Sequence, residues 1–225
     1  MHGGAGDWRL RLDFADTATL VEAIARKDMA TAAHTWRVSL YARAMAERAG
    51  LDHGLIERLT RAAALHDVGK LTVPDEVLQK PGPLTAAERT IMERHAADGH
   101  AMLVAAGEDD PLVLDLVRHH HERQDGTGYP DRLAGEAIPL AARYFAVIDA
   151  FDAMTSVRPY RSDVGPDAAR RALLELRAKR GVWYCGESVE TLAALVEAGN
   201  VAWITAYHNE TCPIALPARR AGQMK

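Results

Sequence analysis

From about Asp16 onward, apolar residues recur along this chain at helical spacing, and Gly and Pro separate one run from the next. In "HTWRVSLYARAMAERAG", His34, Val38, Tyr41 and Met45 form one stripe, and Gly50 closes the run as a C-cap. In "LIERLTRAAALHDVGK", Leu55, Leu59, Ala62 and His66 share a stripe whose end Gly69 loosens. "TAAERTIMERHAADGHAML" opens with Thr85 and Glu88 at capping-box spacing, and Ile91 and His95 then lie on one face. "DPLVLDLVRHHHE" offers Asp110 as N-cap and Pro111 at the first helical position. Its apolar face runs through Val113, Leu116 and Val117 to His120 and His121, while His119, four residues after Asp115, falls on the polar side. "IPLAARYFAVIDAFDAM" begins at Pro139 and aligns Phe145 with Asp149 and Asp152. Further helices are predicted from Pro166 to near Gly181 and from Ser188 to Ala198. The pattern predicts an all-α helical bundle, with a loose N-terminus over 1–15, one domain over 16–200 and a poorly packed tail over 201–225.

The polar residues that interrupt these stripes are of one kind. His34, His66, His95, His120, His121 and Asp149 each finish an apolar face. A single histidine on such a face is ordinarily a core residue hydrogen-bonded to a carbonyl. A buried carboxylate is harder to satisfy, because it needs a cation or several donors. Five histidines and an aspartate on the inward faces of five helices carry a large desolvation cost, which a shared metal centre removes. His66 and Asp67 are adjacent, so on a helix their side chains diverge by roughly 100° and can still reach one metal lying between them. The two oxygens of Asp67 can bridge two metals. The spacing assigns one ion to His34, His66, Asp67 and Asp149, and a second to Asp67, His95, His120 and His121.

Composition narrows the chemistry. The chain has 225 residues, enough for one domain with a substantial core. Aromatic residues are only 6%, and Ala, Leu and Arg recur, which favours helices. The net charge of -4 argues against binding a nucleic-acid polymer by bulk attraction to phosphate. No apolar run is long enough to span a bilayer, and "MHGGAGDWRLRLDF" lacks a signal-peptide core, so no membrane association and a cytoplasmic location are expected. Cys185 and Cys212 are too few for a disulfide scaffold. Imidazole with carboxylate suits iron, manganese, zinc, cobalt or nickel. Two divalent ions outweigh two aspartates, so the loaded centre stays cationic and attracts an anion. Two close metals also generate a nucleophile at neutral pH and stabilise phosphoryl oxygens, which points to phosphoester hydrolysis. Lys70, one turn after His66, can place an ammonium near the phosphate or the leaving oxygen.

Three blocks carry a family resemblance. "HDVGK" (His66 to Lys70) resembles the signature of the HD phosphohydrolase superfamily. "HHERQDGTGYP" (His120 to Pro130) resembles the signature of its HD-GYP subfamily, and "DAFDAMTSVRPYR" (Asp149 to Arg161) a third block. The resemblance spans about Asp28 to Arg161. It implies an all-helical phosphodiesterase that hydrolyses cyclic di-GMP to linear pGpG or on to GMP, with metal ions that are often iron or manganese. It supports the seven ligands, marks Lys70 as a lysine of the catalytic site, and implies that Tyr129, Arg158 and Arg161 contact substrate. Asp125 and Glu122 are expected to cap the loop or orient ligating imidazoles rather than bind metal. Gly126 and Gly128 let the loop turn tightly.

Some positions depart from the family pattern. Members with a third metal carry Glu four residues before the first ligand histidine. Here that position is Ala30, which predicts two metals. Val157 stands where Asp is common, and "VWYCGESVETL" after Gly181 replaces the usual Phe-Asp-Pro ending. Many members are fused to sensory domains; here a GGDEF-type cyclase or a receiver domain is expected to act in trans, and a homodimer is left open. Three rival readings remain at this point: a catalytically weak cyclic di-GMP sensor or docking module, an HD hydrolase of another cyclic dinucleotide or nucleotide, and a non-catalytic bundle held by a structural metal.

Overall fold

The computed structural model describes residues 17–156 and 167–205. Among them the chain is helical, with two isolated bridges and no strand. The helices are α1 (Thr17–Lys27), α2 (Met29–Arg48), α3 (His53–Leu65), α4 (Asp75–Leu78), α5 (Ala86–Glu93), α6 (His95–Ala105), α7 (Pro111–His119), α8 (Leu140–Thr155), α9 (Ala168–Ala178), α10 (Gly186–Glu197) and α11 (Ala202–Thr205). Short 3-10 turns cover Val68–Thr72 and Gly135–Ala137. The all-α expectation is met.

Local chemistry sets the boundaries. Asp28 breaks the chain between α1 and α2 and caps α2, accepting hydrogen bonds from the amides of Ala30 and Thr31 at 3.3 and 3.0 Å. Thr85 and Glu88 form the predicted capping box at the head of α5. Asp110 caps α7 through the amide of Leu112 at 2.9 Å, with Pro111 at the first position. Such caps satisfy amides that have no partner within the helix, and each contributes about 1 kcal/mol.

α2 is the central rod. It packs against α1, α3, α8, α10 and α11, while α7 joins α3 to α6 and α8. The stripe His34, Val38, Tyr41 and Met45 is buried as predicted, with the Tyr41 ring edge-on to Phe151 at 5.6 Å. Phe145, Phe151, Leu65, Leu116 and Leu176 fill the interior. Each large apolar side chain buried in this way contributes roughly 1.5–3 kcal/mol. α10 follows the divergent "VWYC" stretch and still buries Val189, Leu192, Ala193 and Leu195.

Three helical expectations need correction. Ile91 is 39% exposed although His95 is buried, because α5 ends at Glu93 and α6 begins at His95, so the two residues do not share one continuous face. Leu55 and Leu59 are only partly buried, and Ile56 takes the interior position on that stretch of α3. The pairs His66–Asp67 and His120–His121 do not lie within helices: α3 ends at Leu65 and α7 at His119, so each pair sits on a helix end. Asp67 has φ −98° and ψ 9°, outside the helical range, and the chain turns there into the 3-10 segment. That turn frees the two side chains from fixed helical divergence.

Candidate metal centre

The ends of α3 and α7, the start of α6, the second turn of α2 and the middle of α8 converge on one buried spot. They bring together all seven of the expected ligand residues: His34, His66, Asp67, His95, His120, His121 and Asp149. Three overlapping groups have ligand atoms within 4.8 Å of one another: His34, His66 and Asp149; His66, Asp67 and His120; and His95, His120 and His121. Asp67 straddles the first and last of these. Its Oδ2 lies 3.2 Å from His66 Nε2 and its Oδ1 lies 3.4 Å from His95 Nε2. Asp149 Oδ1 lies 3.0 Å from His34 Nε2, and its Oδ2 lies 3.9 Å from His121 Nδ1.

The backbone dictates which ring nitrogen faces the centre. His66, His95 and His120 each donate Nδ1–H to the carbonyl three residues earlier: Ala63 at 2.8 Å, Met92 at 2.7 Å and Val117 at 2.9 Å. A carbonyl only accepts, so in each neutral ring Nε2 carries a bare lone pair. The Nε2 atoms of His95 and His120 then face each other at 3.3 Å, lone pair against lone pair. His66 Nε2 and Asp67 Oδ1 are buried without a hydrogen-bond partner. Buried polar atoms are ordinarily paired, and a cation coordinated by these atoms satisfies them together. The donor set therefore fits divalent metal.

Electrostatics favour the same occupant. Burial, reinforced by the neighbouring rings, holds His120 well below the usual imidazole range and His121 down to about 3. Burial also lowers His95. Burial alone would raise the Asp67 and Asp149 carboxyls, yet His66 and Lys70 beside Asp67, and the hydrogen bond from His34 to Asp149, hold both well below their ordinary value. The cluster therefore sets neutral imidazoles at His95, His120 and His121 beside ionised carboxylates, the protonation state that metal binding requires, whereas His34, bonded to both Asp149 and Asp152, gives up its Nε2 proton when a metal binds.

One part of the centre was missed by sequence reasoning. His34 donates Nδ1–H to Asp152 Oδ2 at 2.7 Å, and Arg37 grips the same carboxylate through Nε at 2.6 Å and Nη2 at 2.9 Å. Asp152 and Arg37 are both almost wholly buried. Arg37 lies three residues after His34 on α2, and Asp152 three after Asp149 on α8, so each pair shares a helix face. That spacing was the available signal. Burial opposes the charge on His34, but the bonds to Asp149 and Asp152 outweigh it and raise the ring. Hydrogen bonds from His34 and Arg37 overcome burial at Asp152 and bring it to about 2.

The remaining predicted residues frame the centre. Lys70 donates Nζ–H to Asp67 Oδ2 at 2.6 Å. The Tyr129 ring lies 4.8 Å from that of His121 and lines a cleft of about 410 Å³ together with His120, His121 and Asp149. Gly128 is required by close approach, since a Cβ there would lie 2.5 Å from the Arg123 amide nitrogen. Gly126 has φ +75°. Glu122 accepts hydrogen bonds from the amides of Asp131 at 2.7 Å and Leu133 at 3.1 Å, and Asp125 from the amide of Thr127 at 2.9 Å; both cap the loop. His119 faces away, within 3.0 Å of Asp131. Arg158 and Arg161, with Val157, lie outside the described residues.

Fold and centre together define a helical metal-binding domain. The HD domain family model matches residues 18–188, and the chain belongs to that family, in its HD-GYP branch. It is 44% identical over 174 residues to the cyclic di-GMP phosphodiesterase response regulator RpfG of Xanthomonas campestris, covering 77% of this chain and 45% of that protein. It is 36% identical over 174 residues to the 3'3'-cGAMP-specific phosphodiesterase 2 of Vibrio cholerae, covering 77% of this chain and 33% of that one. Its fold is similar to that of the solved structure of Bd1817, an HDG"Y"P protein from Bdellovibrio bacteriovorus, with TM-score 0.62 at 16% identity over 82% of this chain and 70% of that one. The chain spans less than half the length of the first curated relatives it matches. Among the described residues no helix is long and apolar enough to cross a membrane.

Proposed function

We propose that this domain is a metal-dependent phosphodiesterase that hydrolyses cyclic di-GMP to pGpG, and on to GMP where the linear product is retained. The observation that carries this reading is the pair of imidazole lone pairs facing each other at 3.3 Å, beside a buried carboxylate oxygen that has no donor. Two divalent ions, iron or manganese, would be held by His34, His66, Asp67 and Asp149 and by Asp67, His95, His120 and His121. When bound, these ions supply a water acidified to neutral pH and electrophilic stabilisation of the phosphoryl oxygens.

The chain's own groups do the rest. Carbonyls of α3, α5 and α7 fix three imidazoles in the tautomer that presents Nε2, and Asp152 does the same for His34. Lys70 holds a proton at Nζ beside Asp67, placed to offset charge on a phosphoryl or leaving oxygen. Tyr129 forms part of the cleft wall against which the substrate lies. Arg158 and Arg161 are proposed substrate contacts on the strength of the motif.

The test is anaerobic purification with metal analysis, followed by assay on cyclic di-GMP with added Mn²⁺ or Fe²⁺. Hydrolysis that disappears in a His66→Ala, Asp67→Ala double variant is the expected result. Tight binding without turnover would replace this reading with a cyclic di-GMP sensor. The relative from V. cholerae that is named for 3'3'-cGAMP favours one second reading, preference for that cyclic dinucleotide. A side-by-side comparison of kcat/KM on the two substrates decides between them. A cyclase or receiver domain is the proposed source of regulation.

A further inference from the structure

The cleft beside the metal centre holds two guanidinium groups that the ligand set does not use. Arg89, on α5, and Arg123, in the loop after α7, both line it, and neither has a carboxylate partner among the described residues. Of the carboxylates along the same lining, Glu122 is taken up by two backbone amides and Asp149 by His34, which leaves Glu93 as the local counter-charge.

Arg123 is also held in place. Its guanidinium carbon sits 4.0 Å from the centre of the Trp183 ring, and Lys179 Nζ sits 4.4 Å from the same ring. Trp183 is pinned in turn: its amide donates to the Lys179 carbonyl at 2.9 Å, and its carbonyl accepts from the Gln124 amide at 3.2 Å. A second backbone bond, from the Asp125 amide to the Val182 carbonyl at 2.9 Å, ties the loop after α7 to the same turn. Tyr184, the next residue, enters the cleft lining. The stretch "VWYC", where this chain leaves the pattern of its family, therefore gives the cleft Tyr184 and backs Arg123 with Trp183. A guanidinium stacked on an aromatic face has its plane fixed while its edge donors stay available, and that edge suits a phosphate.

A cyclic dinucleotide carries two phosphodiester groups, and only one can occupy the metal centre at a time. We propose that Arg123, stacked on Trp183, and Arg89 form a second anion subsite that holds the phosphodiester of the substrate that is not being cleaved. The proposal rests on the cyclic dinucleotide reading above. It assigns Arg123 and Arg89 as specificity-determining residues and Trp183 as the positioning residue that orients Arg123.

The experiment compares wild type, Arg89→Ala, Arg123→Ala, Arg123→Lys, Trp183→Ala and Trp183→Phe, all loaded with Mn²⁺ and checked for unchanged metal stoichiometry. Two readouts are taken: calorimetric Kd for cyclic di-GMP, and the ratio of kcat/KM for cyclic di-GMP to that for bis(p-nitrophenyl) phosphate, which has a single phosphodiester. Arg123→Ala and Arg89→Ala are expected to lower the ratio and to weaken binding at least tenfold, expressed mainly in KM. Arg123→Lys and Trp183→Phe are expected to fall between wild type and the alanine variants. Equal losses on both substrates would overturn the subsite, as would an unchanged ratio. Arg89 is exposed, so its variant tests the proposal even where Arg123→Ala fails to fold. If wild type binds cyclic di-GMP without hydrolysing either substrate, and the arginine variants bind tenfold more weakly, the subsite stands and the hydrolytic reading falls. A wild-type chain that binds no cyclic di-GMP ends both.

Discussion

Replacing Asp152 by Asn tests how the centre is held, because it keeps the shape of the side chain and removes its charge. In the structure the Asp152 carboxylate accepts from His34 Nδ1 at 2.7 Å, from Arg37 at 2.6 and 2.9 Å, and from Ser156 Oγ at 3.1 Å, all out of contact with solvent. An amide oxygen in the Oδ2 position still accepts from His34 and from Arg37 Nη2, but the NH2 group then faces Arg37 Nε, and the negative charge that both residues pair with is gone. Removing one member of a buried ion pair costs about 3–5 kcal/mol. A domain of ordinary stability, roughly 5–15 kcal/mol, survives that loss but unfolds at lower denaturant. The second effect is on metal: His34 exchanges a charged acceptor for a neutral one, and substitution of such a partner weakens metal affinity roughly 10- to 100-fold. Urea unfolding of chelator-treated protein measures the first effect, and Mn²⁺ titration calorimetry the second. The double variant Arg37→Met, Asp152→Leu separates them, since an apolar pair is expected to recover most of the stability and none of the affinity. If Asp152→Asn binds Mn²⁺ within twofold of wild type, Asp152 does not orient His34 and the reasoning fails.

Three further outcomes are expected. A Cβ at Gly69 would lie 1.9 Å from the His95 carbonyl oxygen, a backbone atom that cannot give way, so Gly69→Ala must push α6 off the 3-10 turn. Overpacking of this kind costs about 1–3 kcal/mol, near the top of that range here, and lowers Tm by roughly 6–12 °C in a domain of this size; an unchanged melting curve would refute the close approach. Within the run of three histidines, His120→Ala is expected to reduce bound metal and His119→Ala to leave it intact, as measured by elemental analysis. On pH, His95, His100, His120 and His121 are lowered in the folded chain and His34 is raised. Below the ordinary imidazole value, the unfolded chain gains protons at four positions where the folded chain resists them, and His34 is protonated in both states. Unfolding therefore takes up protons there, and metal-free stability rises with pH up to about 6.5. A urea midpoint that falls over this range would contradict the assignment.

The sequence by itself determined the helices, because the apolar period and the caps at Thr85 and Asp110 are local properties of the chain. It also marked six ligand-type residues, since histidine and aspartate at the end of an apolar stripe is an arrangement that burial alone makes expensive, and Asp67 followed from its place beside His66. It placed His119 on the polar side, where the structure leaves it. Tertiary structure decided what depends on distant partners. The two adjacent pairs sit on helix ends, and no periodicity announces where a helix stops when the reason is a glycine packed against another element. Arg37 and Asp152 meet 115 positions apart in sequence. Trp183 meets Arg123 through a loop whose register only the fold supplies. Local spacing fixes which face a side chain occupies, whereas the choice of neighbour across the core follows from how the rods pack, and no single helix encodes that.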